Sequence, residues 1–136
     1  MVLRLATVIR TAMAAQIEPT IGASPTLEIR TGPPPPTLAG ADTGTVLATL
    51  TLPADFLTTA AAGAVSLNGT WSDPSADASG NAGHFRIKQG GTPMADGTIT
   101  GTVTGTGDVI LAQTTEAIVA GQPASFTGFS FTTGGA

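Results

Sequence analysis

Apolar residues first recur along the chain at spacings of three and four. Over residues 2–17, Leu5, Val8, Ile9, Ala12, Met13 and Ile17 fall on one stripe of a helix, with Arg4, Thr7 and Thr11 largely on the other side. Glu18-Pro19 closes it, because a residue that precedes proline is pushed out of the α region. Such a helix either covers one face of a sheet or forms an arm that docks on a neighbouring subunit.

The period then changes to two. Residues 26–31 alternate Leu27 and Ile29 against polar partners, as a half-buried strand does. Gly32 leads into Pro33, Pro34, Pro35 and Pro36, a stiff run without backbone donors. That run reads either as a rigid connector or as a ligand for an aromatic groove, and it contains no basic residue to orient a groove partner. Residues 44–52 form a strong strand closed by Pro53, with Val46, Ala48, Leu50 and Leu52 on one face.

Another strand lies within residues 60–71. Residues 72–83 are small, acidic or turn-forming and predict a long surface loop. Residues 84–88 alternate, placing Phe85 and Ile87 inward and His84, Arg86 and Lys88 outward, before Gly90-Gly91 turns the chain. Threonines at every second position from Thr98 to Thr106 predict a strand over residues 97–107. Residues 109–111 and 125–132 complete the set. Seven or eight short strands predict a mainly β chain, an antiparallel β-sandwich or jelly roll with an N-terminal α-helix. The division is an arm over residues 1–18 and a sandwich over 19–136, with the Pro-rich connector 33–36 inside it. No solenoid repeat is present.

Composition narrows the chemistry. Charged residues make up 10% of the 136-residue chain, against roughly 25% in ordinary soluble domains. There is no cysteine, which removes disulfides and thiol nucleophiles. A net charge of −4 with five scattered cations argues against nucleic-acid binding. No stretch approaches the length of apolar residues that spans a bilayer. Ala12-Met13-Ala14 resembles a small-residue cleavage site, but Arg10 interrupts the apolar run that a secretory signal needs.

Candidate sites are sparse. His84 is the single histidine, so any triad would have to be built on it, and Ser72, Asp73 and Asp77 lie near it in sequence without a nucleophile elbow. Asp73, Asp77 and Asp96 offer oxygen ligands for calcium, although the Ser-Asp-Pro context more simply makes Asx turns and strand caps. The glycines at 97, 101, 105 and 107 lack the lysine and helix of a phosphate loop. Asn68-Gly69-Thr70 matches a glycosylation sequon, a pattern frequent by chance in a threonine-rich chain. The expectation is a protein without enzyme activity, cofactor or metal, whose low-charge surface suits tight contacts.

The order of these features resembles a family of small virion proteins of tailed bacteriophages and prophages. The likeness runs through the helix Val8 to Ile17, the strand and Pro-rich link after Leu27, the strand Thr45 to Leu52, and a closing segment from Thr114 to Phe131. Its most telling part is Ser75 to Ile87, comparable to the family's Ala-Asp-Ala-x-Gly-x-Ala-x-Trp-Phe-Arg. Here His84 stands in the tryptophan position, so no role carries over to it.

The resemblance implies a capsid decoration, or cement, protein on the outer surface of the virion. Its partners would be the major capsid protein and its own copies, in a homotrimer at threefold positions. An acidic chain suits the outside of the shell, because one lining packed DNA should be basic. Repetition over a lattice turns weak contacts into strong attachment. The expected contact residues are Leu5, Val8, Ile9, Ala12, Met13 and Ile17 on the helix and Pro33 to Pro36. A tail-associated structural or receptor-binding module is the alternative, and it would expose side chains near Trp71 and the 72–83 loop. A secreted surface domain, cleaved near Ala14, is a third.

Overall fold

A computed structural model describes residues 3–133, so position 2 of the expected helix and residues 134–136 of the expected sandwich lie outside the described residues. Two helices, α1 (Thr7–Ala15) and α2 (Ile17–Ile21), precede nine strands. These are β1 (Thr26–Thr31), β2 (Val46–Thr51), β3 (Ala64–Ser66), β4 (Ser72–Asp73), β5 (Gly80–Gln89), β6 (Thr92–Thr100), β7 (Val109–Leu111), β8 (Ala117–Ile118) and β9 (Ala124–Thr132). The mainly β class therefore holds, with one more helix and one or two more strands than the pattern alone separates.

The strands run in the order β2-β1-β5-β6-β7-β9-β3, with β4 on β9 and β8 on β5. All pairs are antiparallel except β6 and β7, which run parallel. Leu27, Ile29, Leu47, Leu50, Phe85, Ile87 and Leu111 fill the interior. Burying each such side chain is worth about 1.5–3 kcal/mol. A run of aromatics, Phe56, Trp71, Phe129 and Phe85, crosses that interior with ring centroids 5.4–6.4 Å apart. Such pairs prefer tilted and edge-on arrangements over face-to-face stacks.

The sheet is curled, and the described segments cover both of its ends. Along β2, the carboxylate of Asp73 accepts the Thr49 amide, and the amides of Asp77 and Ala78 donate to the Leu47 carbonyl. Along β3, the Thr58 amide donates to Ser66 and the Leu57 strand bridges Leu67. The segment after residue 72 is thus only in part the surface loop its composition suggests: it holds β4, runs along β2, and becomes β5 at Gly80. Asp73 also accepts the Ser75 amide at 3.0 Å, the Asx turn expected from Ser-Asp-Pro.

Gly90 and Gly91 turn β5 into β6, both with positive φ (59° and 82°), as a two-residue hairpin requires. The threonine alternation beyond Thr100 does not make strand. Past Ile99 the inward positions are Gly101, Val103 and Gly105, so the segment has little side chain to bury and Val103 is exposed. Gly101 instead presses on the Thr114 backbone, where a Cβ would come within 2.5 Å of the carbonyl.

The N-terminal region departs furthest from its pattern. Pro19 does not stop helical structure, since it falls in the first turn of α2, where its missing N–H is not needed. The face of α1 that meets the body carries Thr11 and Ala14, not the apolar stripe. Thr11 Oγ1 accepts the Gly63 amide at 2.9 Å, and Thr133 Oγ1 donates to the Arg10 carbonyl at 3.0 Å. Small side chains let the helix approach the Gly63 turn, where φ is +77° and a Cβ would press on Arg10. Buried backbone groups decide the orientation because each needs a partner.

Candidate functional site

Two clusters emerge from this frame, one closed and one open. The closed one lies on the outer face of β1, β5 and β6. The register sets Glu28, Arg86 and Asp96 in one row across the three strands, and Arg30, His84 and Thr98 in the next. Residues 84, 86 and 88 therefore do share a face, as their alternation predicts. That face is not solvent, however: His84 is fully buried and Arg86 is 1% exposed.

What covers it is the segment between β1 and β2 that begins with the prolines. Pro35 is buried, Pro34 half-buried, and Pro33 and Pro36 exposed. The run thus acts as the rigid connector of its two readings, packed on its own sheet. The turn after it supplies carbonyls to Arg86, from Leu38 and from Gly40. Asp42 then descends among three cations. It accepts from Arg30 at 3.1 Å, from Lys88 at 2.6 Å and from Arg86.

Glu28 adds contacts of 3.0 Å to both Arg30 and Lys88. The Lys88 hydrogen bond, with Arg86 and Arg30 behind it, holds the Asp42 carboxyl below its usual range despite burial. The same bond raises the Lys88 ammonium. His84 Nδ1 donates to the Gly32 carbonyl at 2.8 Å, which places the proton on that nitrogen. At this crossing Gly83 meets Gly32 so closely that a Cβ would lie 2.2 Å from its carbonyl oxygen.

This cluster has the composition of an active site, but its histidine is fully buried and its Asp42 edge reaches water. Asp42 and Glu28 pair with the three cations, whereas His84 Nε2, Arg86 Nε and Asp96 Oδ2 are buried without a hydrogen-bond partner. Among the described residues no three His, Cys, Asp or Glu side chains gather to hold a metal ion. The three aspartates considered for calcium are separated. Asp73 caps β2, Asp77 is exposed beside it, and Asp96 lies beside Arg86 with 4.0 Å between Oδ2 and Nε.

The open cluster is apolar. On α1, Val8 is 75% exposed, Ile9 47% and Met13 48%, and Leu3 just ahead of the helix is 73% exposed. Of the helix residues expected to make contacts, Leu5 and Ile17 are half-buried and Ala12 is exposed. Beside this stripe, Met13 and Ile17 form one wall of a cleft of about 430 Å³. Met94, Phe129 and Phe131 line it from the sheet, and Phe131 is itself 44% exposed. The cleft joins α1 to β9, a juxtaposition that no sequence spacing announces.

Below the stripe, Glu18 Oε2 accepts the Leu57 amide at 2.6 Å. Burial raises the Glu18 carboxyl, and the neighbouring Asp55 carboxylate raises it further. Trp71 lies in the interior, 1% exposed, its indole N–H donating to the Phe56 and Asn68 carbonyls. Exposed polar side chains follow it in the chain, Ser75, Asp77, Ser79 and Asn81. No described helix is long and apolar enough to cross a membrane. No protein-family model, curated protein or solved structure matches this chain.

Proposed function

We propose that this chain is a non-enzymatic structural protein of a tailed-phage virion, a decoration protein attached to the outer surface of the major capsid protein lattice. The observation that carries the reading is an inversion of the usual layout. Much of the titratable cluster lies beneath the β1–β2 loop, while Val8, Ile9, Met13 and Phe131 face outward around an open apolar cleft. Single exposed apolar residues are ordinary, but a continuous set on one helix and the adjoining cleft marks a contact surface. Such a molecule works by adhesion.

The acidic balance of the chain suits the outside of a DNA-filled shell. Of the prolines expected at the shell contact, Pro35 packs on the molecule's own sheet, while Pro33 and Pro36 stay exposed and, with the helix stripe and the cleft, are candidate contacts. The tail-module reading would instead rest on polar side chains of the 72–83 segment, where Ser75, Asp77, Ser79 and Asn81 are exposed, and it predicts only a few copies per virion.

Quantifying this chain in purified particles is the test. Hundreds of copies per virion, lost together with heat resistance when the cleft residue Phe131 is changed to Asp, is the expected result. A handful of copies at a tail tip, or none, overturns it.

A further inference from the structure

A seam runs through the middle of the sheet. β6 and β9 have nine residues each, but β7 between them has three. β7 meets β6 only at Ile99 and Thr100, and meets β9 only from Phe126 to Phe129. Beyond that meeting, among the described residues, no strand lies between Thr92–Thr98 of β6 and Ser130–Thr132 of β9. Burial follows the same line. No residue from Thr92 to Thr98 is buried, and β9 is exposed from Ser130 to Thr132.

Both walls of the seam present backbone. The Thr98 amide points away from β5, since it donates to Asp108 Oδ2 at 2.9 Å. Alternation along an antiparallel ladder turns the Asp96 amide and carbonyl the same way. On the far wall, the Phe129 carbonyl accepts the Leu67 amide and the Thr133 amide donates to Gly63, both on the β3 side. The peptide groups of Thr132 therefore face the seam. Where β7 fills it, the seam is two strand spacings wide, about 9.6 Å. That width takes one further strand in line with β7, whose amides and carbonyls would complete both walls.

Behind the seam is the cleft of about 430 Å³, which Met94, Ala95 and Phe131 line together with Met13 and Ile17 of the helices. A strand entering here needs apolar side chains at alternate positions, those that turn inward. Its other positions run beside carboxylates. Asp108 is exposed and makes no ion pair among the described residues. Asp96 Oδ2 is buried without a hydrogen-bond partner, 4.0 Å from Arg86 Nε. We propose that the seam binds an extended segment of a partner protein that alternates apolar residues with lysine or arginine, inserted between β6 and β9. The nine strands of this chain are already committed to its own sheet, so the segment comes from elsewhere. Backbone pairing supplies affinity, and the cleft and carboxylates supply selectivity.

The insertion does not rest on the virion reading, because it is measured on the purified chain. The probe is a synthetic peptide of about seven residues alternating lysine with valine, labelled for fluorescence anisotropy. Saturable one-to-one binding is expected, with slowed amide exchange at Asp96 and Thr132. Methylating alternate backbone nitrogens of the peptide abolishes binding, since one wall then loses its donors. Asp108→Asn keeps an acceptor for the Thr98 amide and weakens binding about threefold. The same variant leaves unchanged the binding of a peptide with glutamine in place of lysine. No binding, equal binding of the methylated peptide, or slowed exchange confined to other amides overturns the proposal. Protection of Asp96 and Thr132 by a second copy, without peptide, overturns it too. Absence from particles with peptide binding intact overturns only the virion reading.

Discussion

The carboxylate of Asp73 receives the backbone amide of Thr49 at 3.1 Å, joining the short β4 to the outer edge of β2. Its other oxygen takes the amide of Ser75. One side chain therefore both shapes a turn and closes the curl of the sheet. Asp73→Ala removes two acceptors at a buried position and is expected to cost about 2–3 kcal/mol. Thermal unfolding followed by Trp71 emission should show a midpoint lowered by about 5–10 °C.

Asp42 is the part of the loop that bonds all three cations of the covered cluster. Asp42→Ala is expected to cost about 2 kcal/mol, less than the roughly 3–5 kcal/mol of a fully buried pair, because a third of its side chain faces water. Its carboxyl titrates below the ordinary 3.8, so its contribution is complete at neutral pH and is lost as pH falls through that depressed value. Lys88, raised above 10.5, keeps its contribution until pH climbs through the elevated value. Denaturant melts of the wild type and the Asp42→Ala variant should diverge least below pH 3.8.

Glu18 has the opposite sign. Its carboxyl is raised above 4.5, chiefly by burial, so the folded state holds the proton longer than the unfolded chain does. Stability from this group is present at low pH and falls as pH rises through the raised value. Glu18→Gln keeps an acceptor for the Leu57 amide and should flatten that slope. Melts between pH 4 and 7 check it, and retention of the full slope in Glu18→Gln would refute the assignment.

Gly83→Ala puts a methyl group on the Gly32 backbone where the β1–β2 loop crosses β5. The loop must lift or the strand must shift, at a cost of about 1–3 kcal/mol or more. Amide exchange should speed up at residues 32–44 before it does in the interior. By contrast, Val103→Thr on the exposed turn is expected to stay within about 0.5 kcal/mol of the wild type.

The strands around Leu27, Leu50 and Val109 and the Gly90-Gly91 hairpin were legible because alternation and turn glycines act locally. Two of the failures are of another kind. The alternation of residues 84, 86 and 88 shows a shared face but not what lies over it, and here a loop beginning fifty residues earlier covers the charges. Likewise the apolar stripe of α1 signals a face that avoids water without saying which neighbour provides shelter. Thr11 and Gly63, joined across half the chain, settle which side of the helix turns inward. Of the candidate contact surface, the helix half was visible in the residues and the cleft half, which Phe131 and Met13 both line, required the fold.

With segment 73–78 lying along β2 and segment 56–61 along β3, neither end strand of the sheet is left bare among the described residues. Copies crowded together at high local density can then touch at those two edges only through side chains. Growth into fibrils by strand addition is thereby blocked at those two edges.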